Sequence, residues 1–225
     1  MGIVILTGAG ISAESGLATF RSSDGLWNNF SVEDVASIEG FQRNPALVFD
    51  FYRDLSQQFF SAKPNEAHKV IAKFQKKKET FLITQNVDLL HEKAGSSNVK
   101  HMHGRIDESI CLSCGHVVKG LVGAEAVCPL CQTEKMMKPN IVFFGEMPYY
   151  MDEIENALKS CEVFIAIGTS GVVYPAAGFV KSAKMWGAKT FLFNLDPAEN
   201  SPFFDQQILG KASETVPKFL ESLAV

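Results

Sequence analysis

Short, wholly apolar runs recur along the chain at intervals that leave room for helices between them. Residues 3–6 are β-branched and apolar without interruption and stop at Gly8, the pattern of a parallel strand buried on both faces. Comparable runs stand at 81–84, 141–144, Val163–Ile167 and 190–195, and each is expected to be a strand. Between them the period lengthens. Asn65 is placed to cap a helix with Val70, Ile71 and Phe74 on one face and Lys76, Lys77 and Lys78 at its end, where cations suit the dipole. Ile154 and Leu158 mark another helix. Pro175 is expected to open a further one, and Ser213 to cap a last one carrying Phe219, Leu220 and Leu223. Strands alternating with helices predict an α/β fold with a parallel sheet covered on both faces.

Two stretches break the alternation. Residues 31–61 are aromatic and helical with no strand signal, and residues 106–137 are punctuated by Cys and Gly. Both read as insertions that build a second, smaller domain.

Composition narrows the class. Hydrophobic residues make up 46% of the 225 residues, charged residues 20%, and 18 are Phe, enough to bury a core and exclude a disordered chain. The 25 acidic and 21 basic residues give a net charge of −4, so the broad basic surface of a sequence-independent nucleic-acid binder is not expected. No apolar run approaches the ~20 residues of a membrane span. The N-terminus lacks the basic region and cleavage pattern of a signal peptide, and a reducing cytoplasm is the expected location. The sequence leaves the oligomeric state open and is compatible with a monomer.

Candidate chemistry begins after the first strand. Thr7-Gly8-Ala9-Gly10-Ile11-Ser12-Ala13-Glu14-Ser15-Gly16 is expected to turn into a helix, where glycines admit a pyrophosphate and the first amides donate to it. The spacing differs from Gly-x-Gly-x-x-Gly, and no acid stands about 20 residues on, at the end of a second strand, where a dehydrogenase binds ribose. A plain strand–helix turn explains the glycines alone equally well.

Cys111-Leu112-Ser113-Cys114 and Cys128-Pro129-Leu130-Cys131 are two C-x2-C knuckles. Four thiolates suit a tetrahedral zinc with no open position, which is a structural site. A redox pair or two disulfides fit a reducing compartment poorly. Cys161 reads as a small core residue.

Further polar residues gather at strand ends, where open α/β sheets bind ligands: Thr84-Gln85-Asn86-Val87-Asp88, Gly168-Thr169-Ser170, and Asn194 with Asp196. Turn chemistry accounts for Asn and Asp equally well. His103, before Gly104 at a domain junction, is a general-base candidate, whereas His68 and His91 read as structural or surface helix residues.

Taken in order, these motifs resemble the sirtuins, NAD-dependent protein deacylases. The set comprises Gly8-Ala9-Gly10-Ile11-Ser12, Glu14-Ser15-Gly16, Thr19-Phe20-Arg21, Thr84-Gln85-Asn86-Val87-Asp88, His103-Gly104, the four cysteines, Phe144-Gly145-Glu146 and Gly168-Thr169-Ser170. Gly25-Leu26-Trp27 and Val32-Glu33-Asp34-Val35-Ala36 resemble the class III, bacterial-type branch.

The resemblance implies a Rossmann-like NAD-binding domain from 1–30, 75–105 and 138–225. The small domain would combine a helical module, 31–74, with a zinc ribbon, 106–137. It implies that Gly8, Ala9, Gly10 and Glu14 lie around the pyrophosphate, and that Phe20, Arg21 and Trp27 belong to a cofactor loop. Gln85, Asn86 and Asp88 would face nicotinamide and ribose. Gly168, Thr169, Ser170, Asn194, Leu195, Asp196 and Ala212 would line the adenosine side. Val142, Phe143, Phe144, Gly145 and Glu146 would receive an acyl-lysine protein or peptide by strand addition. The implied catalytic residues are His103 and Asn86. The acyl oxygen attacks C1′ of the nicotinamide ribose, nicotinamide leaves, and His103 activates a ribose hydroxyl toward the acyl carbon. O-acyl-ADP-ribose and free lysine result, so NAD is consumed.

One departure bears on the acyl group. Class III enzymes that remove succinyl or malonyl groups pair a Tyr with an Arg three residues later; here Tyr52 is followed by Leu55. Positions i and i+3 share a helix face, and Arg53 points about 100° away from Tyr52. Ala36, Tyr52 and Leu55 therefore predict a pocket for neutral acyl groups, acetyl above all or longer apolar ones, unless another cation such as Arg43 reaches it. Lys138, where the family often has Arg, is expected to be neutral in effect. The competing reading is an NAD-dependent protein ADP-ribosyltransferase, which shares the NAD-cleaving step.

Overall fold

The computed structural model describes residues 2–18 and 30–223. Phe20, Arg21 and Trp27, with the rest of the expected cofactor loop, lie outside the described residues. The central sheet has six parallel strands in the order β3-β2-β1-β7-β8-β9. These are β1 (Ile3–Thr7), β2 (Thr80–Thr84), β3 (Lys100–His101), β7 (Val163–Ile167), β8 (Lys189–Asn194) and β9 (Gln206–Leu209). β1 lies at the middle, with Ile5 opposite Leu82 on β2 and Ile165 on β7. Every residue of β1 and β7 is buried, which is why both read as unbroken apolar runs.

Helices cover both faces. α5 (Glu66–Gln75) and α9 (Ala212–Leu223) bring Ile71, Phe74, Val216 and Leu220 onto Ile5, Leu82, Ile165 and Phe193. α7 (Met151–Ser160) and α8 (Phe179–Met185) bring Ile154, Leu158, Phe179 and Val180 onto Val4, Leu6, Phe164 and Leu192. Cys161 joins this second layer as a buried free thiol.

The inserted segments pack on each other. α2 (Val32–Val35), α3 (Ile38–Arg43) and α4 (Pro45–Ser61) are each capped by a side chain, with Ser31, Ser37 and Asn44 accepting the amides of Asp34, Gly40 and Leu47. α4 buries Val48, Phe49, Phe51, Tyr52 and Leu55 against Ile106, Ile141 and Phe143. A three-stranded antiparallel sheet, β5-β4-β6, combines β4 (Gly104–Cys111), β5 (Val117–Lys119) and β6 (Met137–Ile141).

Several expectations are corrected. The apolar run 141–144 is not a parallel strand of the main sheet. The strand there, β6, ends at Ile141 and pairs antiparallel with β4, and only an isolated bridge from Phe144 to Ser37 continues beyond it. The run is apolar because Ile141 and Phe143 enter the core beneath α4. Pro175 precedes a short 3-10 turn that leads into α8, so it does not open that helix itself. α9 starts at Ala212, and Ser213 already lies in its first turn, where its amide and hydroxyl both reach Glu14. β3 and β9, at the two sheet edges, escaped the apolar-run criterion because edge strands are short or half solvated, as the exposed Gln206 and Gln207 show.

Candidate active site

The loop after β1 is set by contacts that leave no space for a side chain. The Gly10 amide donates to the Gly168 carbonyl over 2.8 Å, and Gly8 donates to Ile167 over 3.0 Å. A Cβ on Gly10 would lie 2.7 Å from the Gly168 Cα, and one on Gly168, whose φ is +64°, 2.3 Å from the Ile11 nitrogen. The glycine loops after β1 and β7 therefore interlock at backbone distance, and α1 (Gly10–Ala13) starts from that contact.

The end of β2 folds over this loop. Asn86 Nδ2 donates to the Gly8 carbonyl over 3.1 Å and reaches Ser12 Oγ at 3.2 Å. The Ser12 hydroxyl donates to Asp88 Oδ2 over 2.9 Å, and the Leu90 amide donates to Asp88 Oδ1 over 2.9 Å. Burial pushes the Asp88 carboxyl up, against the lowering effect of those two donors and of His101. Gln85 Nε2 donates to Thr169 Oγ1 over 3.2 Å, and Asn194 Nδ2 to the Thr169 carbonyl over 2.7 Å. Gln85, Asn86, Asp88, Gly168, Thr169 and Asn194 thus meet along the C-terminal edge of the sheet, with Gly8 and Gly10 between them.

His103 stands beside this edge. Its Nδ1 lies 3.0 Å from the Gln85 carbonyl, which can only accept, so Nδ1 carries the proton and Nε2 keeps its lone pair. Burial pushes the His103 imidazole below its ordinary value, against the opposing effect of the Gln85 carbonyl. Both features suit a proton acceptor near neutral pH.

The Val142 amide donates to the His103 carbonyl over 2.9 Å, and the Phe144 amide to Ala36 over 2.9 Å, so residues 142–146 run from the histidine to the helical insertion. Glu146 closes the segment on itself: its Oε2 accepts from the Phe143 amide over 2.7 Å and from Lys138 Nζ over 3.0 Å. Lys138 is 2% exposed, donates also to the Ile141 carbonyl, and lies 4.0 Å from the Phe143 ring centre. Tyr52 stacks on Phe143 at 6.2 Å, and burial and then the Glu146 charge push its phenol up. Ala36, Tyr52, Leu55 and Phe143 are all buried here.

Other expected site residues are placed as follows. Glu14 is exposed, and its carboxylate binds the first turn of α9 next to Ala212. Ser170 is half-buried after β7, whereas Leu195 and Asp196 are exposed after β8. Arg43 and Arg53 turn outward to Asp34 and Asp50. Sequence reasoning did not single out Ser12, which joins Asn86 to Asp88, or Lys138 as the anchor of Glu146. Only the proximity of Ser12 to the glycines pointed to it.

The four knuckle cysteines converge. Their sulfur atoms all lie within 4.8 Å of one another, with Cys111–Cys131 and Cys114–Cys128 at 3.7 Å. Zinc–thiolate bonds of about 2.3 Å require tetrahedral edges of about 3.8 Å, so the donor set fits a structural zinc. The turns are shaped by the Gly115 and Gln132 amides donating to the Cys111 and Cys128 carbonyls, both from positive φ.

The fold and site thus define an α/β protein with a Rossmann-like sheet, a cluster of polar side chains at its C-terminal edge and a four-cysteine ribbon. The Sir2 family model matches residues 8–175, and the chain belongs to the Sir2 family. It is 51% identical to the NAD-dependent protein deacylase SIR2rp3 of Leishmania major, covering 98% of this chain and 95% of that protein. It is 49% identical to the NAD-dependent protein deacylase of Pasteurella multocida, covering 97% and 96%. Among solved structures, a Sir2 homologue in complex with NAD superposes with a TM-score of 0.89 at 36% identity, covering 98% of this chain and 88% of the other. Sir2Tm bound to a propionylated peptide does so at 0.82 and 29%, covering 98% and 92%.

Proposed function

We propose that the protein is an NAD-dependent protein lysine deacylase with acetyl-lysine peptides as its preferred substrates. It would release nicotinamide and O-acyl-ADP-ribose. The observation that carries this reading is the His103 imidazole, with Nε2 available as a base beside Asn86, Asp88 and the Gly8–Gly10 turn. NAD, consumed as a co-substrate, supplies the electrophilic ribose carbon and the hydroxyl that takes over the acyl group. The interlocked glycine turns and the start of α1 receive the pyrophosphate. Asn86 and Asp88 orient the ribose, with Gln85 beside the nicotinamide. Thr169, Ser170 and Asn194 lie on the adenosine side. His103 Nε2 takes the proton of the ribose hydroxyl. Residues 142–146 pair with the peptide backbone, and the acyl chain enters between Ala36, Tyr52, Leu55 and Phe143.

A neutral acyl group is supported by Leu55, buried on the face it shares with Tyr52, and by the outward ion pairs of Arg43 and Arg53. In this reading zinc holds the ribbon, the small domain comprises the helical insertion and the ribbon, and the enzyme works in the cytoplasm. The test is NAD consumption with an acetyl-lysine peptide by wild type and His103→Ala, with products identified by mass. O-acetyl-ADP-ribose from wild type and its loss in the variant support deacylation. A persistent ADP-ribose adduct on the peptide supports the transferase instead.

A further inference from the structure

Two histidines two residues apart grip two successive carbonyls at the end of β2. His103 takes that of Gln85, and His101 Nδ1 lies 2.9 Å from that of Asn86. The proposed chemistry uses His103 and leaves His101 without a role, although His101 is 2% exposed and fully bonded. Its Nε2 lies 2.7 Å from Glu92 Oε1 on α6 (Leu90–Lys93). A peptide carbonyl and a carboxylate are both acceptors, so making both bonds needs a proton on each ring nitrogen. Glu92 is in turn held by Arg105 Nη1 over 3.2 Å, and the same guanidinium forks onto both oxygens of Asp107. Burial pushes the Glu92 carboxyl up, but the hydrogen bond and charge of His101, with Arg105, outweigh it and hold it low.

The relay ends on the carbonyl of the Asn86–Val87 peptide, while the preceding Gln85–Asn86 peptide donates its amide to Thr84 Oγ1 over 3.1 Å and offers its carbonyl to His103. The two peptides meet at the Asn86 Cα, so a shift of the one that His101 holds would turn the Asn86 side chain and disturb the neighbouring peptide whose carbonyl orients His103. We infer that His101, charged and held by Glu92 and Arg105, is a positioning residue that sets the Asn86 peptide and thereby aligns Asn86 and His103. The inference rests on the deacylase reading. The titratable groups whose charges act on the ring are Glu92 and His91 on α6 and Asp88 before it, and Arg105 on β4 reaches it through Glu92.

The test compares wild type, Glu92→Ala and Glu92→Gln by steady-state kinetics with NAD and acetyl-lysine peptide, with thermal melts as a folding control. Glu92→Ala is expected to lower kcat about tenfold or more while KM for the peptide stays within about twofold, because alignment and not binding is lost. Glu92→Gln should recover most of kcat, because its amide can donate to a neutral His101 that still donates to Asn86. A folded Glu92→Ala with wild-type kcat, or with raised KM and unchanged kcat, overturns the inference. If Glu92→Ala does not fold, a folded Glu92→Gln whose kcat has itself fallen tenfold or more overturns it. Absence of turnover by wild type would instead remove the deacylase reading.

Discussion

His103 Nδ1 lies 3.0 Å from the carbonyl oxygen of Gln85, and this one bond settles which nitrogen of the ring is basic. Because the histidine is pushed below its ordinary value of 6.5 by burial, it is neutral at and above neutral pH. kcat/KM should therefore be flat across the neutral range and fall only on the acid side, as the free imidazole is protonated. His103→Ala should lower kcat by about 100-fold or more, the usual scale of a lost general base. The check is the pH profile of NAD-dependent deacetylation; a basic limb without an acid one would remove the assignment.

His68 and His91 pack ring against ring, 4.9 Å apart, and three of their four ring nitrogens have no partner in the described structure. The exception is His91 Nε2, 3.0 Å from Thr7 Oγ1. Burial lowers His68 from 6.5 to about 4, and lowers His91 well below its ordinary value. A folded-state value below the unfolded one means that the contribution of His68 is fully present above 6.5 and is lost as pH falls toward and through about 4. The loss at His68 alone is about 3 kcal/mol. Melting temperature should drop across this window, and His68→Phe, which removes the titration, should flatten the drop. Parallel acid limbs for variant and wild type would refute this.

Much of this architecture is legible in the chain because burial and period coincide. β1, β2, β7 and β8 are apolar runs, and α5 starts at the capping Asn65 that the sequence marks. The cysteine knuckles announce a four-thiolate metal site by spacing alone. What stayed hidden depends on contacts between distant segments. The 141–144 run owes its apolarity to α4, so its partner is a helix and not the main sheet. Lys138 is buried because Glu146, the Ile141 carbonyl and the Phe143 ring receive it, which local sequence cannot show. His101 and His103 meet successive carbonyls, and the further bond of His101 to Glu92 depends on a helix that local sequence does not place.

The ribbon sulfurs define a metal-holding unit with little hydrophobic support of its own: Cys111, Cys128 and Met137 form its buried cluster, joined by Val118 and Ala126. Zinc removal by a strong chelator should therefore unfold this unit, because binding free energy of about 10 kcal/mol or more is folding free energy in such ribbons. Elemental analysis should find zinc at one per chain. Cys128→Ser should lose it and lower the melting temperature, whereas Cys161→Ser, outside the cluster, should keep full zinc. Retention of zinc by Cys128→Ser would refute the ligand set.

Tyr52 and Leu55 lie three residues apart on α4, both buried and both in the cluster around Phe143. Leu55 offers neither charge nor donor, the nearby Glu146 raises the Tyr52 phenol electrostatically, and Lys138 beside Phe143 is already paired with Glu146, so among the described residues a negative acyl terminus meets a cation whose charge is offset. Wild type should show a higher kcat/KM on acetyl- than on succinyl-lysine peptide. Leu55→Arg should add a charge-assisted contact worth about 1.5–3 kcal/mol to a carboxylate-bearing acyl group. That is about 10- to 100-fold in kcat/KM for the succinyl peptide, with the acetyl peptide losing activity as the apolar wall is replaced. Matched peptides differing only in the acyl group measure both effects. A wild type that prefers succinyl, or a folded Leu55→Arg that leaves the ratio unchanged, would show that the acyl group is read elsewhere.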